Sequence, residues 1–128
     1  MVYRLTMALV SEGQEGNLGT DWKYKIEAKV FCSGLLSDVT VEVPTHTLES
    51  GSVISPYGAP EPVLLFEGEC ESELLLRLRL TATEVDLFIN DEGRVNKDIR
   101  LDLPVAGEEA SVQEIDLAAG VRESPGIR

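Results

Sequence analysis

Histidine occurs once in these 128 residues, at His46, and cysteine only twice, at Cys32 and Cys70. No zinc-ligand cluster, EF-hand calcium loop or glycine-rich phosphate loop is present. A serine or cysteine triad would have to recruit His46, in Pro44-Thr45-His46-Thr47, and no nucleophile-elbow pattern surrounds Ser50, Ser52, Cys32 or Cys70. An enzyme is therefore not expected. Positive charge is also scarce, with 11 Lys and Arg against 23 Asp and Glu and a net charge of −12. That balance repels bare nucleic acid and bare anionic membrane. No segment approaches the roughly 18 consecutive apolar residues of a spanning helix. Arg4 interrupts the only apolar stretch near the N-terminus, so no signal peptide is read there. The expected compartment is the cytoplasm, with Cys32 and Cys70 as free, reduced thiols.

The chain does have alternation of period two. Tyr3, Leu5, Met7 and Leu9 alternate with Arg4, Thr6 and Ala8. Trp22, Tyr24, Ile26, Ala28, Val30 and Cys32 alternate with Lys23, Lys25, Glu27 and Lys29, which is the cleanest strand signal in the chain. Val39, Val41 and Val43 follow, then Leu74, Leu76, Leu78 and Leu80 opposite Arg77, Arg79, Thr81 and Thr83. Val85, Leu87 and Ile89, then Ile99, Leu101 and Leu103, continue it, and Val112 to Leu117 is a candidate last strand. Turn-forming residues lie between the runs at 13–20, 33–34, 50–62, 90–93 and 104–109. No convincing amphipathic helix is found. The expected fold is an all-β antiparallel sandwich of seven or eight strands, in one domain over residues 1–122, with a flexible tail at 123–128.

Two loops concentrate acid. The first reads Glu15-Gly16-Asn17-Leu18-Gly19-Thr20-Asp21 and runs into Trp22-Lys23-Tyr24-Lys25-Ile26. The second carries Glu84, Asp86 and Glu92 around Phe88, with an expected turn at Asn90-Asp91-Glu92-Gly93. Carboxylates converging on one point either repel one another or hold a hard cation such as Ca²⁺. In order and spacing these motifs make residues 3–104 resemble a C2 domain, whose acidic loops follow D-x5-D and D-x-D-x5-D patterns. The resemblance implies a β-sandwich with both loops at one end. It names Glu15, Asp21, Glu84, Asp86 and Glu92 as candidate Ca²⁺ ligands. Glutamates stand at 15, 84 and 92 where the family has aspartates, and Trp22 replaces the usual proline. The likeness therefore bears more on the fold than on the metal.

Lys23, Lys25 and Lys29 share one strand face, and Arg77 and Arg79 can line a neighbouring one. Together they form a candidate patch for a phospholipid headgroup or a protein partner. Lysines on an exposed face equally discourage edge-to-edge aggregation. The functional expectation is a non-enzymatic binding or targeting module. One version uses Ca²⁺ to bind a membrane or a protein through the two acidic loops. The other is a metal-free interaction or assembly domain that uses a sheet edge or the 50–62 loop.

Overall fold

The computed structural model describes residues 2–16, 18–71, 73–86, 90–101, 103 and 112–122. The strands are β1 (Val2–Met7), β2 (Glu12–Gly13), β3 (Asp21–Phe31), β4 (Leu35–Thr47), β5 (Val53–Ile54), β6 (Val63–Glu69), β7 (Leu74–Glu84) and β8 (Asp91–Leu101). They form a four-stranded sheet in the order β4-β3-β7-β8 and two ribbons, β1-β6 and β2-β5. Every ladder between these strands is antiparallel, and the described residues include no helix. The fold is all-β, consistent with the expected sandwich.

The core is drawn from both larger sheets. Ile26, Ala28 and Val30 of β3 and Leu74, Leu76 and Leu78 of β7 bury against Leu65 of β6, and Tyr3, Leu5 and Met7 of β1 pack onto them. Each strand contributes alternate residues, because successive side chains point to opposite faces. Tyr24, Leu80 and Leu101 lie on the core face but are only half-buried.

Between β3 and β4 the chain reverses at Ser33 and Gly34, whose φ values are 57° and 148°. Glycine takes such a backbone without strain. β4 is an edge strand, and Trp22 pairs with His46 while Tyr24 pairs with Val43. Pro44 and Thr45 therefore both oppose Lys23, which is a β-bulge. Proline has no N–H for a ladder, so an edge strand with a bulge is where it fits. The extra residue also inverts the alternation. Val39, Val41 and Val43 face the core at odd positions, and beyond the bulge His46 does so at an even one.

Three sequence expectations are corrected. Cys32 and Cys70 are joined in a disulfide, and no free cysteine remains. The expectation of free thiols rested on compartment alone, whereas the fold brings the ends of β3 and β6 together and so apposes the two sulfurs. Asp91-Glu92-Gly93 is not a turn: it opens β8, because the ladder from Leu74–Leu101 continues to Glu84–Asp91. Thr81 and Thr83 keep the outward parity that the alternation gives them, and both are buried. Val112 to Leu117 forms no ladder. It belongs to an extended segment, half-buried at Ile115, Leu117, Ala119 and Val121, that runs antiparallel across the core face of β8. Lys97 Nζ reaches the Asp116 carbonyl at 3.5 Å. A Cβ at Gly93 would meet the Gly120 carbonyl and lie 2.8 Å from Val121 Cγ2, so glycine is what lets this segment lie flat. Phe88, the expected turn at 104–109 and the expected tail at 123–128 fall outside the described residues.

Thiol titration of the denatured, non-reduced protein is expected to find no reactive group, and two after reduction. Closing a loop with a sequence separation of 38, the bond is expected to add roughly 2–4 kcal/mol of stability. Comparing oxidised and reduced protein in urea measures it.

Candidate functional site

Strands β3 and β8 begin, and β4 and β7 end, at the same end of the four-stranded sheet. The register places His46, Trp22, Glu84 and Asp91 in one row across four strands on the core face, all buried. A buried row of one aromatic, one imidazole and two carboxyls is unusual, because ionisable groups lose hydration there and need partners.

His46 is the best-defined centre. Its Nε2 lies 2.8 Å from Glu12 Oε1, and its Nδ1 lies 2.7 Å from the Pro44 carbonyl oxygen. Glu12, at 9% exposure, is as buried as its partner. The same Oε1 accepts the backbone N–H of Tyr57 at 3.0 Å. The Tyr57 ring stacks on the imidazole at 4.5 Å between centroids, and Tyr24 approaches edge-on at 6.3 Å. One carboxylate on β2 thus ties the bulged end of β4 to the loop that follows β5. Gln14 adds a second tie, donating from Nε2 to the carbonyls of Gly19 (3.1 Å) and Leu48 (2.8 Å). Trp22 Nε1 also donates to the Gly19 carbonyl, at 3.0 Å.

The two acidic loops do lie side by side, since the Val85 N–H donates to the Asp21 carbonyl at 2.8 Å. Their side chains divide between environments. Glu84 is buried, against Gly19. Glu15, Asp21, Asp86 and Glu92 are exposed. Glu92 pairs with Arg94 at 2.8 Å, and the Asp86 N–H donates to Asn90 Oδ1 at 3.0 Å. Among the described residues, no three His, Cys, Asp or Glu side chains are grouped to hold a metal ion.

The outer face of the sheet carries all five candidate cations. Its rows read Glu42–Lys25–Thr81–Arg94, Thr40–Glu27–Arg79–Asn96 and Asp38–Lys29–Arg77–Asp98, with Lys23 opposite Thr83 beyond them. Glu42–Lys25, Glu27–Arg79, Asp38–Lys29 and Arg77–Asp98 are opposite-charge neighbours that stabilise the ladder, whereas Lys29 and Arg77 are like charges directly opposite one another. Arg77 Nε donates to Asp98 at 3.0 Å, and its guanidinium sits 5.1 Å from the centre of the Phe31 ring. Arg79 Nε donates to Asn96 Oδ1 at 2.8 Å. Lys29, Arg77 and Arg79, with Glu27, Asn96 and Asp98, line one shallow depression of about 480 Å³.

Compared with protein-family models, curated proteins and solved structures, the chain matches none.

Sequence reading missed Glu12 and Tyr57 and treated His46 as an idle loop residue. The available signal was Pro44: a proline inside a valine-alternating run implies a bulge, and a bulge turns the next residues over.

Burial, then the hydrogen bond and the negative charge of Glu12, push the Tyr24 phenol well above the usual tyrosine range. The folded chain therefore holds this proton more tightly than the unfolded one. The contribution is complete below about pH 10, the unfolded tyrosine value, and is lost as pH rises beyond it. Phenolate absorbance of the wild type against Tyr24→Phe is expected to show Tyr24 ionising only as the chain unfolds.

Proposed function

We propose that this chain is a non-enzymatic, metal-free protein-interaction domain that meets its partner through the 50–62 loop, with Tyr57 as the anchor. The observation that carries this reading is the commitment of a buried carboxylate to that loop, since Glu12 Oε1 serves both His46 and the Tyr57 N–H. Buried ion pairs are poor stabilisers compared with apolar packing, and their best-attested use is to specify geometry. Here the geometry specified is that of an exposed aromatic. Tyr57 is 49% exposed although its ring is backed by the imidazole. Rigid aromatics presented in this way carry much of the energy of protein interfaces. Val53 and Ile54 add exposed apolar surface to the same loop. Both nitrogens of His46 already face acceptors, which argues against its use as a catalytic base.

No helix among the described residues is long and apolar enough to cross a membrane. The Cys32–Cys70 bond stands where a cytoplasmic setting led free thiols to be expected. It favours an oxidising compartment.

A photo-crosslinking residue in place of Tyr57 is expected to trap a protein partner in the native host, whereas the same residue in place of Arg79 is not. Tyr57→Ala is expected to weaken the isolated complex about thirtyfold, as for an interface hot spot. Crosslinks from position 79 alone would reject the loop.

The Val85–Asp21 backbone bond favours one second reading, because it sets the two acidic loops side by side. In it, Glu15, Asp21, Glu84, Asp86 and Glu92 gather around Ca²⁺ as in the C2 domain the chain resembles. Lys23, Lys25, Lys29, Arg77 and Arg79 then meet a phospholipid headgroup or a protein. The metal-free reading expects no binding heat when millimolar calcium is titrated in. Heat that appears in the wild type and vanishes in Asp86→Asn would put the calcium reading first.

A further inference from the structure

Both ring nitrogens of His46 face oxygen acceptors, the Pro44 carbonyl at 2.7 Å and Glu12 Oε1 at 2.8 Å. A neutral imidazole has one N–H and a carboxylate has none. With His46 neutral and Glu12 ionised, one of these two contacts is lone pair against lone pair. Both become hydrogen bonds only when the pair holds one more proton. That proton makes either an imidazolium facing a carboxylate or a carboxyl O–H donating to Nε2. In both forms Oε1 keeps a lone pair for the Tyr57 N–H.

We infer that Glu12 and His46 share one extra proton, and that its loss releases the Tyr57 end of the 50–62 loop, beyond the part held by the β2-β5 ladder, so that the presentation of Tyr57 is gated by pH. The inference rests on the reading of that loop as the interaction surface. The groups that face the pair are few. From β3 comes Tyr24, held as a neutral phenol by burial and by Glu12 itself. From the loop come the Tyr57 ring and N–H, and from β4 itself the Pro44 carbonyl. Glu84 lies in the same row but beyond Trp22. Among the described residues, no Lys or Arg is hydrogen-bonded or ion-paired to either member, so the shared proton is what balances the Glu12 charge. Its loss leaves two acceptors in contact away from water, where such repulsion is strong. When Nδ1 keeps the remaining proton for the Pro44 carbonyl, the repulsion falls between Nε2 and Oε1, and Glu12 relieves it by turning away. The same movement takes Oε1 from the Tyr57 N–H, and the ring loses the backing that aligns it. Because the latched state holds the extra proton, the latch is complete on the acid side and is lost as pH rises.

His46 is the only histidine in the chain. Its ring resonances therefore report one site, and Tyr57 amide exchange, corrected for the intrinsic pH dependence, reports the latch. Both are to be followed on the free, disulfide-bonded protein from about pH 5 to pH 9, the range histidines sample. Tyr57 protection is expected to fall at least tenfold with the same midpoint as the His46 signals. In Glu12→Gln the carboxamide oxygen, placed as Oε1 is, can accept from both an Nε2–H and the Tyr57 N–H with no carboxylate charge left to balance, so protection is expected to persist and to vary less with pH. Constant Tyr57 protection through the His46 transition overturns the inference. So does a His46 with a single ring proton beside an ionised Glu12 while the latch is closed. The wild-type titration alone decides the matter should Glu12→Gln fail to fold. No partner enters this experiment, so its failure leaves the interaction reading standing, and a failed crosslink at position 57 leaves the gate standing.

Discussion

The register of β3 between β4 and β7 is the constraint on which the rest of the structure depends. β3 is hydrogen-bonded along both edges, so its alternation decides which side of each neighbour faces inward. Ile26, Ala28 and Val30 fall into the core, and their partners Leu80, Leu78 and Leu76 must join them. Lys25, Glu27 and Lys29 fall outside and bring Thr81, Arg79 and Arg77 with them. A slip of one residue would bury a charge lattice and expose the core. The outer rows are thus a consequence of the register, and the acids that flank their cations suit a solvated sheet face more than a uniform basic patch.

The same ladder concentrates the polar risk at one end. There the chain must close four strands and hold the loops at 14–20 and 48–57 together. It does so with side chains that reach backbone groups: Gln14 to two carbonyls, Trp22 to one, and Glu12 to an N–H. Buried backbone groups in irregular segments need such partners, because no ladder supplies them. Apolar packing would stabilise this end at less cost, but it would not fix the direction of a loop.

The strands were legible from the sequence because alternation is a local property. The Trp22 to Cys32 run and the Leu74 to Leu80 run both carry it, and both are strands. What escaped depends on chain segments far apart. Thr81 and Thr83 share the outward parity of Arg77 and Arg79 yet are buried, which no pattern within β7 reveals. Asp91 and Glu92 have turn composition, but the β7 ladder extends β8 through them. The disulfide requires the ends of β3 and β6 to meet, a tertiary fact. Of the candidate site, the adjacency of the acidic loops was legible through their order along the chain. The division of their side chains between interior and solvent was not.

His46 shows how a local irregularity decides chemistry. By alternation alone, Thr45 would follow Val43 inward and His46 would point to water. The bulge at Pro44 and Thr45 exchanges them. Proline makes that exchange obligatory in practice, since it cannot donate to the ladder that a regular strand would need there. Once turned inward, the imidazole has no water for its second nitrogen. Glu12, from a ribbon of only two residues per strand, supplies the missing partner. So short a ribbon is marginal by itself. Gln14 helps to hold it in place, and Glu12 carries the hold on to Tyr57, so the backbone at Tyr57 is tied to the sheet through one carboxylate.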